Sequence, residues 1–95
     1  MQFVLTAYDG NDSDALDRRM AVREVHFENI RKLRESGNFI WGGAILDDNG
    51  VMKGSVVVYD FPSRKELDDM LEKEPYILGG VWEKITIEPF RLADI

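Results

Sequence analysis

Residues 16–35 read LDRRMAVREVHFENIRKLRE. At about 100° per residue, Leu16, Met20, Val22, Phe27, Ile30 and Leu33 fall on one broad arc, the pattern of a helix laid against a core. His26, the only histidine in the chain, falls inside that arc, with Val22 and Ile30 four residues to either side. Arg19 and Arg23 lie in it too, while Glu24, Glu28 and Glu35 lie opposite. Unpaired buried charge is costly, so a helix that only filled a core would not carry two arginines and a histidine in its buried stripe. They either meet partners and water there, or they line a pocket.

On the N-terminal side of this helix, residues 2–8 alternate as a strand, with Phe3, Leu5 and Ala7 on one side and Val4, Thr6 and Tyr8 on the other. Both sides are largely apolar. The loop DGNDS at 9–13 follows, and Ser13 or Asp14 is placed to cap the helix. On the C-terminal side, Gly37 suits the position just past the helix end. Residues 38–46 predict a second strand, interrupted by Gly42-Gly43, where a bulge or a close approach to the backbone is expected. Asp47-Asp48-Asn49-Gly50 reads as a hairpin with a tight primed turn, since Asn-Gly accepts positive φ. Residues 51–60 are then the third strand, apolar on both faces around Val56, Val57, Val58 and Tyr59.

Ser63 with Glu66 three residues on is a capping box for a second, shorter helix, whose stripe is Leu67, Met70 and Leu71. Pro75 should end it, because proline disfavours helix in the residue before it. Residues 75–80 form a compact connector holding Tyr76, and residues 81–92 the last strand. There Val81, Ile85 and Ile87 take one face, and Trp82, Lys84, Thr86 and Glu88 the other.

The order β-α-β-β-α-β over a single domain, residues 1–95, predicts an α+β ferredoxin-like fold: a four-stranded antiparallel sheet with both helices on one face. The first and last strands are apolar on much of the uncovered face as well, with polar positions on the last. Two such sheets are therefore expected to pack face to face in a homodimer, since an exposed apolar sheet invites association.

Composition narrows the function. With 18 acidic against 12 basic residues the net charge is −6, which speaks against a nucleic-acid partner and against an anionic membrane surface. No apolar run approaches the ~18 residues of a membrane span, and MQFVLTAYDG has neither the basic region nor the longer apolar run of a signal peptide. A soluble cytoplasmic protein is the expectation. There is no cysteine, so neither disulfides nor thiol chemistry enter. One histidine and no cysteine speak against a metal site and leave only a carboxylate-rich one, so none is expected, and no phosphate loop or nucleotide-cofactor motif is present.

Several of these residues together form a recognisable pattern. Ala7-Tyr8-Asp9 closes the first strand, and Arg19, Arg23 and His26 follow on the helix. Glu74-Pro75-Tyr76 and Gly80-Val81-Trp82-Glu83 lead into a last strand carrying Glu88-Pro89-Phe90. The chain thus resembles the YCII-related (YciI-like) family over nearly its whole length. The resemblance implies a dimeric α-β barrel of ferredoxin-like subunits. It also implies a histidine paired with an acid in a pocket near the dimer interface, suggested to form a catalytic dyad. Most such proteins are uncharacterised, and those with a role are linked to lyase-like or dehydrochlorinase-type chemistry on small ring compounds. The chain departs from the family's pattern in two places. Glu74 stands where aspartate is usual before the proline, and Gly42-Gly43-Ala44 with a tight hairpin replaces a Gly-Pro element and a longer loop. The pocket rim is expected to differ accordingly, and with it the substrate.

His26 suits a general acid or base, because an imidazole titrates near neutral pH. A carboxylate on its far nitrogen would fix the tautomer and stabilise the charged form. Glu74 and Asp9 are both candidates; the resemblance favours Glu74. A histidine that only caps a buried hydrogen bond is the plainer alternative. Arg19 and Arg23 have the planar fork that clamps a carboxylate or phenolate, or they form internal ion pairs, with Asp9 an obvious partner for one. Tyr76 either offers its hydroxyl to the pocket or simply packs. Trp41 and Trp82 read as interface or core, and Glu24, Glu28, Arg31 and Lys32 as a solvated helix face.

Three functions compete. The first is a small cofactor-independent enzyme that moves a proton on an anionic or phenolic ring compound, as a lyase or isomerase would. The second is a non-catalytic ligand-binding or regulatory module, favoured if no acid lies near His26. The third is an RNA-binding ferredoxin-like domain, which would need a basic sheet face with exposed aromatics and fits a −6 chain poorly.

Overall fold

The computed structural model describes residues 1–95. The elements follow the expected order, with one short helix added: β1 (Gln2–Asp9), α1 (Ala15–Glu35), β2 (Phe39–Leu46), β3 (Met52–Asp60), α2 (Arg64–Leu71), α3 (Pro75–Leu78) and β4 (Trp82–Phe90). The strands form one sheet in the order β2-β3-β1-β4, every neighbouring pair antiparallel. This is the ferredoxin-like arrangement. No helix is long and apolar enough to cross a membrane.

Register explains which residues reach the core. Phe3 pairs with Tyr59, Leu5 with Val57 and Ala7 with Ser55. Because side chains alternate, all six face the helices, and all are buried. Leu67, Leu71 and Tyr76 close over them from α2 and α3. The opposite face carries Val4, Thr6 and Tyr8 from β1 beside Val56 and Val58 from β3, with Trp41 of β2 next to Val58. Trp41 is 57% exposed and Tyr8 42% exposed, so this face stays open within one chain.

The last strand departs from simple alternation. Tyr8 pairs with Lys84, but Asp9 pairs with Trp82, leaving Glu83 as the extra residue of a bulge. The slip moves Trp82 from the side of Lys84, Thr86 and Glu88 to the helix side, where it is buried. Bulges in β2 also fall beside Gly42-Gly43 rather than at them, between Phe39 and Trp41 and between Ile45 and Leu46.

Helix α1 faces the sheet through a different stripe from the most apolar one. Val22 and Leu33 pack on the core as expected. Met20 and Leu16, however, are 51% and 39% exposed, while Arg19 and His26 are the two buried residues of the helix. Burial here follows pairing: the polar side chains have partners on the sheet and on α3, described below, and the helix is rotated to meet them.

The ends of the elements are set locally. Asp14 occupies the N-cap of α1 without a side-chain cap bond. Asp12 does the work instead, accepting from the Asp14 N–H at 3.3 Å and gripping Arg18 at 2.6 and 2.8 Å. Its hydrogen bonds to Arg18 lower the Asp12 pKa to about 2. At the other end, the Asn38 N–H reaches the Leu33 carbonyl at 2.7 Å and the Gly37 N–H reaches that of Arg34 at 3.1 Å, a Schellman closure with Gly37 at φ +82°. Ser63 caps α2 by accepting from the Glu66 N–H at 3.3 Å. The β2–β3 hairpin forms where expected, but its turn is not a primed one, because only Gly50 has positive φ. The Gly50 N–H closes onto the Asp47 carbonyl at 3.0 Å, and the Asp47 side chain accepts from the Asn49 and Val51 N–H groups, so Asp47 makes the turn that Asn49 was expected to make.

Gly37 and Gly43 separate backbone strain from contact, because an added Cβ meets nothing within 4 Å at either position while only Gly37 has positive φ. Gly37→Ala is expected to cost about 1 kcal/mol and to lower the melting temperature by roughly 4–8 °C. Gly43→Ala should leave it nearly unchanged. Thermal unfolding followed by circular dichroism measures both, and equal effects would contradict this account of the helix end.

Candidate active site

Glu74 sits between α2 and α3 in extended conformation and caps α3, with Pro75 in the first helical position. Its side chain is 0% exposed. A buried carboxylate is tolerated only when hydrogen bonds satisfy it, and this one has three donors. Oε1 accepts from His26 Nδ1 and, at 3.1 Å, from the Tyr76 N–H. Oε2 accepts from Asn29 Nδ2 at 3.0 Å. With Glu74 as the carboxylate, which has no proton to give, Nδ1 of His26 is the donor of this bond. The neutral imidazole then keeps Nε2 as its free, basic nitrogen.

The second acid goes elsewhere. Both oxygens of Asp9 meet Arg19 Nη1, at 3.1 and 3.0 Å, in an almost fully buried pair. Arg19 Nη2 donates to Ser55 Oγ at 2.9 Å, which also accepts from the Trp82 indole at 3.1 Å. The bulge at Glu83 is what brings Trp82 within reach of Ser55. Of the two candidate acids for His26, then, Glu74 lies against it, whereas Asp9 serves Arg19.

Tyr76 lies flat on His26, with ring centroids 3.8 Å apart and planes 10° from parallel. The Trp82 ring meets both edge-on, at 5.9 Å from His26 and 5.5 Å from Tyr76. The Arg19 guanidinium lies 4.8 Å from the Tyr76 ring centre. Burial pushes the Tyr76 phenol pKa up, which keeps it un-ionised around neutral pH.

A cavity of about 260 Å³ opens between α1 and the β2–β3 side of the sheet. His26, Arg23 and Tyr76 supply its polar and aromatic wall; Phe27, Ile30, Phe39, Met52 and Val57 supply apolar surface. Its floor exists because Gly42 and Ala44 stand where core side chains would otherwise project. A Cβ at Gly42 would lie 2.8 Å from the Val56 carbonyl oxygen. Asp9 and Glu74 are not among the lining residues. Arg23 reaches the cavity with its guanidinium 4.5 Å from the Phe27 ring centre and with no carboxylate partner.

The structure therefore gathers His26, Glu74, Arg19, Arg23 and Tyr76 at one place, with Asp9 one side chain further back. Sequence reasoning missed Asn29, Ser55 and the indole of Trp82. Asn29 follows His26 by three residues, within the same helix stripe, and an amide there signalled a buried acceptor. Ser55 shares strand parity with Val57 and Tyr59, which put a hydroxyl on the core side. Trp82 carried no such signal, since the bulge inverts its face.

Comparison with known proteins bears on the family and the fold. Protein YciI of Escherichia coli O6:H1 is 28% identical over 97 residues, covering 96% of this chain and 97% of its own. The structure of 5-chloro-2-hydroxyhydroquinone dehydrochlorinase from Burkholderia phenoliruptrix, in complex with 2,5-dihydroxybenzoquinone, superposes with a TM-score of 0.84 at 21% identity, covering 98% and 96% of the two chains. A dimeric ferredoxin-like protein from an uncultured marine organism shares the fold at a TM-score of 0.58 and 14% identity, covering 99% and 97%. The family model of the YCII-related domain matches residues 1–91, and the chain belongs to that family.

Proposed function

We propose that this protein is a small cofactor-independent enzyme, lyase- or isomerase-like, that transfers a proton on a small anionic or phenolic ring compound. The observation that carries the reading is the His26–Glu74 pair, with no protein partner on Nε2 and with His26 lining a cavity that also holds an unpaired arginine. Nε2 takes a proton from a hydroxyl or acidic carbon of the ring, and the electron pair stays on the substrate as an oxyanion. Glu74 stabilises the imidazolium that forms, as the aspartate does in a catalytic triad but with no nucleophile beside it. Arg23 faces the new oxyanion. Return of the proton at another atom completes an isomerisation; departure of a leaving group completes an elimination. The role of Arg19 is to hold this wall in place, since its charge is met by Asp9.

The size of the cavity, about 260 Å³, suits a single ring. The dehydrochlorinase of similar fold is named for a chlorinated hydroxyhydroquinone and was solved with a dihydroxybenzoquinone. Hydroxylated and halogenated single-ring phenols and quinones are therefore the compounds to assay first.

We also propose that two copies pack through their open sheet faces, around Val4, Tyr8, Val56 and Trp41. Support comes from the exposed aromatic and apolar side chains of that face and from a dimeric neighbour of the same fold.

For a substrate found in such a screen, His26→Gln should lower turnover by about 10²–10⁴-fold. Glutamine can still donate to Glu74, so the melting temperature should fall less than for His26→Ala, which strips one donor from a buried carboxylate. A wild-type rate in His26→Gln would remove the proton-transfer reading and leave a ligand-binding module. Val56→Glu should convert the dimer to a monomer in light scattering after size-exclusion chromatography; a dimeric Val56→Glu would place the interface elsewhere.

A further inference from the structure

Nδ1 of His26 is committed to Glu74, no protein group bonds Nε2, and the residue lines the cavity. Anything else that favours the protonated ring must act through its face. That face is covered by Tyr76, at 3.8 Å and 10° from parallel. We propose that Tyr76 is a positioning residue whose π face stabilises the imidazolium of His26, so that the stack, rather than the phenol hydroxyl, sets how readily His26 takes a proton. The proposal rests on the proton-transfer reading of the site and adds a residue that acts through His26.

The stack is built rather than incidental. One carboxylate oxygen, Glu74 Oε1, accepts from both His26 Nδ1 and the Tyr76 backbone N–H, and so locks the two residues to each other. Trp82 stands edge-on to both rings and blocks sliding, and its own indole is pinned to Ser55. Phe27 also lies beside His26, at 5.8 Å and 44°. An aromatic face attracts a cation through the ring quadrupole, and more strongly when water is excluded. Here His26 and Tyr76 are both buried.

The surrounding charges leave room for such a contribution. On α1, Arg23 has no carboxylate partner and opposes a second positive charge at the same cavity. Arg19, also on α1, lies 4.8 Å from the Tyr76 ring centre, but Asp9 of β1 neutralises it. Glu74 favours the imidazolium, and Tyr59 of β3 is a buried, un-ionised phenol. Tyr76 stays un-ionised too, because burial raises its pKa, so it offers a neutral π surface around neutral pH.

The chain has one histidine, so a single imidazole signal in the NMR spectrum of the intact protein reports its midpoint. Position 76 is replaced by phenylalanine and then by phenylalanine carrying one, two and three fluorines, which keep the ring's outline while draining its π face. Tyr76→Phe should leave the midpoint within about 0.3 pH units, and the fluorine series should lower it stepwise by about one unit in all. Tyr76→Leu, apolar and without a π face, should lower it by a comparable amount. A midpoint independent of fluorination, a fall in Tyr76→Phe as large as the whole series, or an unchanged or higher midpoint in Tyr76→Leu would each overturn the proposal. The titration is run without substrate, so its outcome is separate from whether His26→Gln loses turnover.

Discussion

The constraint from which the rest of the site follows is the burial of the Glu74 carboxylate. A charge removed from water must collect hydrogen bonds or be neutralised, and Glu74 collects them from two helices. His26 and Asn29 reach it from α1, and the Tyr76 N–H reaches it from α3. The two helices are thereby joined through one side chain. The same bonds fix the rotation of α1 about its axis, which is why Arg19 and His26 are buried on that helix while Met20 and Leu16 remain in contact with solvent. Replacing such a buried ion pair with apolar residues is often energetically neutral, whereas removing one partner is costly. The pair therefore specifies an arrangement more than it adds stability.

A second buried pair, Arg19 with Asp9, works on the sheet side. It ties α1 to the end of β1, and Ser55 and Trp82 extend the network across β3 and β4. Between them the two pairs account for both carboxylates near the cavity and for one of its two arginines. Arg23 is left as the uncompensated cation at the cavity wall, in a chain whose net charge is −6. The charge expected of a ligand follows from this local balance and not from the overall composition.

The cavity owes its existence to the edge strand. On β2 two of the positions facing the helix are Gly42 and Ala44, and the space they leave is closed from above by Phe27 and Ile30. Where the central strand β1 carries Phe3 and Leu5 the interior is filled; where β2 carries small residues it is open. Ferredoxin-like sheets serve many chemistries, so it is this local arrangement on a shared scaffold that gives the proposed reaction its footing.

The sequence by itself determined the order of the elements, and with it the sheet topology, because helix and strand are set by short-range periodicity and by local end signals such as Gly37 and the Ser63–Glu66 cap. It also determined which residue types would meet at the site, since Arg19, Arg23 and His26 share a helix stripe by spacing alone. Only the tertiary structure decided the pairing. Glu74 and His26 are 48 residues apart, and whether His26 would meet Glu74 or Asp9 depends on how α1 and α3 dock, a choice no local pattern encodes. The turn at Asp47–Gly50 and the face taken by Trp82 were settled in the same way, one by side-chain bonds from Asp47 and the other by a one-residue slip between β1 and β4. Periodicity fixes where a side chain points within its own element. Which partner it finds is fixed by the reach of groups that only the assembled chain brings together.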